Sequence, residues 1–125
     1  MDIRKLEGIV IEALEDIKAR NIEVITTSGQ CALYDAVVIA TAESARQTKA
    51  LARHVQDVVR AAGGEVIGVE GEQTGDWVLV DLGDVVVHIM QPAIRDYYNL
   101  EELWLGAPTR HVPGGARPRN IPSGA

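Results

Sequence analysis

This sequence holds little of what usually betrays chemistry. One cysteine, Cys31, occurs in 125 residues. A single thiol excludes an intramolecular disulfide and a cysteine-built zinc site, and it suits a reducing cytosol. Long apolar runs are missing: Ala36 to Ala40 is among the longest, against the roughly 20 residues a membrane helix needs. The first twenty residues carry acids throughout, unlike a signal or transit peptide. A soluble cytoplasmic protein is expected. Basic residues are also short: 12 Lys and Arg face 18 Asp and Glu, a net charge of −6. That excludes a chain built to grip nucleic acid or an anionic membrane by bulk charge. No internal repeat is present.

What remains is ordinary globular composition, 46% apolar and 24% charged, enough for one domain with its own core. Ile3, Leu6, Val10, Ala13, Leu14 and Ile17 recur at helical spacing behind Asp2, predicting a helix over 3–20. Ile22 to Thr27 reads as a strand, then Ser28-Gly29-Gln30 as a turn. Leu33 to Thr41 reads as a strand buried on both faces. Ser44 and Gln47 have capping-box spacing, and Leu51, Ala52, Val55, Val58, Val59 and Ala62 form a helical stripe ended by Gly63-Gly64. Glu65 to Val69, Trp77 to Leu82 and Val85 to Met90 are further strands. Pro92 opens a short helix over about 93–98, and Leu100 to Leu105 suits one more turn. From Gly106 onward the chain holds four of the five prolines, four glycines and three arginines. That composition is expected to form a disordered, mildly basic tail over 106–125. The folded domain is then 1–105, in the order α-β-β-α-β-β-β-α. This is a mixed five-stranded sheet packed with helices, of the α/β or α+β class.

Gly83-Asp84 between two strands fits a two-residue hairpin loop with glycine first. This places Leu82 opposite Val85, Asp81 opposite Val86, Leu79 opposite His88 and Trp77 opposite Met90. Alternation then sorts the side chains. One face carries Val78, Val80, Leu82, Val85, Val87 and Ile89 and must be core. The other carries Trp77, Leu79, Asp81, Val86, His88 and Met90. Two arrangements fit this second face: cover by the protein's own helices, or exposure to a partner. The charge favours a partner. Residues 65–102 hold nine acids against one base, Arg95, and Glu70, Glu72, Asp76, Asp81 and Asp84 surround the mixed face. Acids around an aromatic patch suit a basic protein, with charge steering the encounter and apolar anchors holding it.

Catalytic patterns are absent. Asp81 and His88 lack a third ligand on their face, Asp84 lying in the turn. His54 sits at the flank of a helical stripe and His111 in the tail. Ser28 and Ser44 show no nucleophile elbow. Gly68, Gly71 and Gly75 form neither a dinucleotide fingerprint nor a phosphate loop. No enzyme activity, no metal and no cofactor is expected.

The run Glu70-Gly71, Trp77 through Met90 and Arg95 through Trp104, with Ala40 through Gln47, resembles the ribosomal silencing factor family, also called Iojap-like. The resemblance covers about residues 3–105. Met90 stands where the family often has an aromatic, and Ser28 through Asp35 matches only loosely. The resemblance implies a nucleotidyltransferase-type α/β fold without known transferase activity. It also implies binding to large-subunit ribosomal protein fourteen, on the face where the subunits join. That would block subunit association and repress translation. Homodimers are common in the family. The residues expected to carry binding are Trp77 and Met90 as anchors and Asp81, Asp84 and Glu70 as partners for Lys or Arg. Leu79 and His88 would complete the patch, with Arg95 and Tyr98 at its rim. No membrane contact and no sequence-specific nucleic-acid contact is expected, although the tail arginines could touch ribosomal RNA. The alternatives are a nucleotidyltransferase-like enzyme and an acidic adaptor for another basic protein.

Overall fold

The computed structural model describes residues 1–112. The chain runs through α1 (Ile3–Asp16), β1 (Arg20–Thr26), β2 (Ala36–Thr41), α2 (Ala45–Ala61), β3 (Gly68–Glu70), β4 (Trp77–Asp81), β5 (Val85–Met90), α3 (Pro92–Tyr98), a 3-10 turn (Leu100–Trp104) and β6 (Thr109–Val112). The sheet order is β3-β4-β5-β2-β1-β6. All pairings are antiparallel except β2 with β5. That parallel pair requires a crossover, supplied by α2 and the β3–β4 segment.

Both long helices start where their side chains can take up free backbone donors. The Asp2 carboxylate accepts from Lys5 N–H at 3.1 Å, and Ser44 Oγ accepts from Gln47 N–H at 3.1 Å. Gln47 returns its own carbonyl oxygen to Glu43 N–H at 2.7 Å, closing the box one residue early. α1 stops at Asp16, not residue 20. Lys18 and Asn21 both take positive φ (63° and 49°), and the chain between them turns at once into β1.

α1 and α2 lie on one face of the sheet. Their apolar stripes (Leu6, Val10, Ala13, Leu14; Leu51, Ala52, Val55, Val59) meet Val38, Val78, Val80, Val85, Val87 and Ile89 in the main core. The aliphatic face assigned to the hairpin is therefore buried throughout. On the opposite face, α3 and the 3-10 turn fold back over one half only. There Ile25, Val37, Ile39 and Met90 form a second, smaller core closed by Ile94, Leu100 and Trp104. Leu103 of that turn points away and is 69% exposed.

Among the described residues the sheet has six strands, not five. β6 lies within the stretch expected to be a disordered tail. It pairs with β1 through Ile22↔Val112 to Ile25↔Thr109. Thr26 N–H adds a bond to the Pro108 carbonyl at 2.8 Å. Arg110 with Glu7 and His111 with Glu23 tie it sideways. The edge of β1 provides what the polar sequence lacks, a ladder of backbone partners. The rest of the expected tail, 113–125, lies outside the described residues. β2 and β3 also start later than expected, at Ala36 and Gly68.

Candidate functional site

The β4–β5 hairpin has the register read from its loop: Trp77↔Met90, Val78↔Ile89, Leu79↔His88, Val80↔Val87 and Asp81↔Val86. Gly83 takes φ +92° as the first loop residue, a conformation that favours glycine. The Asp81 carboxylate accepts from Gly83 N–H at 2.8 Å and pins the turn. β3 extends the register, placing Glu70 beside Leu79. Glu70, Leu79 and His88 thus form one row across three strands, with Trp77 diagonal to His88.

α3 reaches this row only with Tyr98 at its end, and the row stays half open. Trp77, Leu79, Asp81 and His88 are partly exposed, while Glu70, Asp84 and Tyr98 are exposed. Trp77 organises the patch. Its indole Nε1–H donates to His88 Nδ1 at 3.0 Å, and its ring lies 5.0 Å from Tyr98 at a tilt of 49°. Tyr97, 81% exposed, meets Tyr98 edge-on at 5.0 Å. A depression of about 280 Å³ lies alongside, lined by Glu70, Gly71, Trp77 and Leu79. Gly71, at φ +88°, touches the Trp77 backbone so closely that a Cβ there would sit 2.1 Å from the Trp77 carbonyl oxygen.

The bond from Trp77 requires an unprotonated Nδ1, so His88 is neutral with its proton on Nε2. Burial pushes its pKa down from 6.5 to about 4, since desolvation disfavours the charged ring. The hinted metal-like pair of Asp81 and His88 is engaged in a turn and an indole bond. Among the described residues no three His, Cys, Asp or Glu side chains are grouped to hold a metal ion. Nor does any acid next to the patch form an ion pair there: Glu70, Asp76 and Asp81 have no basic partner among the described residues, while Glu72 lies beside Lys49 and Arg53 of α2 and Asp84 sits in the hairpin turn. The patch is acidic, aromatic and unneutralised.

Two residues expected in it are elsewhere. Met90 is fully buried in the second core. α3 and the 3-10 turn close over its end of the strand, so Met90 cannot anchor a partner. Arg95 is not rim. Its guanidinium donates to Glu101 Oε2 from Nε (3.2 Å) and Nη2 (2.7 Å), and from Nη1 to Thr41 Oγ1 at 2.8 Å and to the Asn21 carbonyl. Only 11% of its side chain is exposed. It clamps α3 and the 3-10 turn to the ends of β1 and β2, and so holds Tyr98 over Trp77. Sequence reasoning missed Tyr97, whose one visible signal was its place beside Tyr98. Nor did spacing reveal that Gly71 seats the end of β3 against the Trp77 backbone. His54 is not free: its Nε2 lies 3.0 Å from Asp16 Oδ2 and joins α2 to α1.

Known proteins resemble this arrangement over nearly its whole length. The family model described as ribosomal silencing factor during starvation matches residues 1–123. The ribosomal silencing factor RsfS of Chromobacterium violaceum is 48% identical over 118 residues, covering 94% of this chain and 97% of that protein. A crystal structure of a Chromobacterium violaceum protein superposes with a TM-score of 0.83 at 47% identity, over 95% of this chain and 99% of that one. A more distant mouse relative, 29% identical over 77% of this chain and 43% of its own length, is named for mitochondrial assembly of the ribosomal large subunit.

Proposed function

The chain belongs to the ribosomal silencing factor family, and from that premise we propose that it represses translation by occupying the large ribosomal subunit. The half-open face of Trp77, Leu79, His88 and Tyr98 would seat on a basic ribosomal protein, protein fourteen by family resemblance. The bound domain then stands where the small subunit must dock, and association fails by exclusion. No bond is made or broken, so no catalytic group is needed. The reading places the protein in the cytoplasm. In the free chain, the same face could be covered by a second copy.

One observation carries this reading. Three acids next to the aromatic cluster, Glu70, Asp76 and Asp81, have no basic partner among the described residues. Unneutralised acids around aromatic anchors match a basic protein surface: the acids set approach and register, the rings hold the complex. The acid row also disfavours direct RNA contact at this face.

Co-sedimentation with purified large subunits through sucrose tests it. The chain is expected in the large-subunit fractions, less so as salt rises, and reassociation with small subunits should fall in proportion. Absence from those fractions at low salt refutes the proposal.

A further inference from the structure

The net charge conceals a second surface of opposite sign. On α2, Arg46, Lys49, Arg53 and Arg60 are all exposed. None has an ion pair or hydrogen bond through its side chain among the described residues, in contrast to Arg20, Arg95 and Arg110, which are paired. At 100° per residue these four fall within an arc of about 60°, along about 21 Å of helix. One acid, Asp57, interrupts the row, and Glu72 stands beside Lys49 and Arg53 across a shallow hollow. Ser44 caps the helix and Gln47 bonds Glu43 N–H and the Ile17 carbonyl, whereas the Arg46 side chain makes no hydrogen bond among the described residues.

We propose that this face of α2 binds the phosphate backbone of RNA. The inference rests on the ribosomal reading, because the body of a ribosome is largely RNA. Three features select this occupant. The charges repeat along a straight rod, as phosphates repeat along a strand. No large apolar or aromatic side chain lies between them to anchor a protein, in contrast to the Trp77 face. The apolar side of α2 is spent in the core, so no hydrophobic face remains to enter a lipid surface. α2 also lies on the sheet face opposite Trp77, so a protein seated there leaves the basic row free. Such binding is without base specificity, since each Lys or Arg releases a counter-ion and reads no edge.

The test is fluorescence anisotropy of the full chain with a short labelled RNA duplex of arbitrary sequence. Sucrose co-sedimentation with large subunits is run in parallel. The duplex should bind with an affinity that falls linearly in log salt. Lys49→Glu with Arg53→Glu should weaken it about tenfold or more, with thermal melting unchanged. Lys49→Ala should reduce the salt slope by about 1, and Asp57→Asn should tighten binding. Should the double reversal fail to fold, Lys49→Ala with Arg53→Ala gives the same comparison. The proposal is overturned if wild type ignores the duplex, if the reversals leave binding unchanged, or if polyglutamate binds α2 as well as RNA does. Duplex binding that depends on α2 in a chain that does not sediment with large subunits would sink the silencing reading and keep this one. Sedimentation with no α2 dependence of duplex binding would do the reverse.

Discussion

The two faces of one sheet have opposite fates. Under α1 and α2 every inward side chain of β4 and β5 is buried, and all are aliphatic. On the other side α3 and the 3-10 turn cover half the strands, and the remainder mixes an indole, an imidazole and carboxylates. Alternation along a strand assigns a side chain to a face. What folds over that face decides whether it becomes core or contact. Met90 and Trp77 are neighbours on the same side, yet Met90 is sealed and Trp77 is half open.

Substitutions on the two faces should therefore fail differently. The largest effect is expected from Val80→Asp on the sealed face. An unpaired carboxylate there costs about 4 kcal/mol or more, and circular dichroism should show an unfolded chain at room temperature. A cooperative melt near wild type would mean the face assignment is wrong. Next comes Gly71→Ala, which forces a Cβ against the Trp77 carbonyl at a left-handed φ. A loss of about 2 to 3 kcal/mol in urea denaturation is expected, with β3 drawn away from the patch.

Trp77→Ala should keep the fold but weaken large-subunit binding by about 2 kcal/mol, read by quantitative co-sedimentation. If it melts the protein while the folded fraction binds normally, Trp77 belongs to the core. The smallest effect concerns His88. Above about pH 6.5 its contribution is constant, because the ring is neutral in both states. As pH falls toward its folded value of about 4, the unfolded ring takes a proton that the folded one refuses, so stability declines across that window. Between pH 7 and 5 the urea midpoint of wild type should drop more than that of His88→Gln. Equal drops would remove His88 from the account.

The hairpin faces were legible because a two-residue loop fixes register, and register fixes alternation. The capping of α2 was legible from Ser44 and Gln47 for an equally local reason. Met90 was misread because its cover comes from residues 94–104, whose path over the sheet is a tertiary event. Arg95 was expected at the rim beside Tyr98. Its four hydrogen bonds reach Asn21, Thr41 and Glu101, and no spacing reveals that. β6 was invisible for a third reason. Thr-Arg-His-Val between prolines has little apolar content, and its stability resides in β1, more than eighty residues earlier.

The tight Gly83-Asp84 loop has a kinetic consequence. Trp77, Leu79, Asp81 and His88 all come from one hairpin, so closing a very short loop brings them together at little entropic cost. The opposite core needs β2 against β5, a parallel contact across more than forty residues, which local-first folding reaches late. The register of the proposed recognition strip therefore depends on one short loop and not on the long-range β2–β5 pairing.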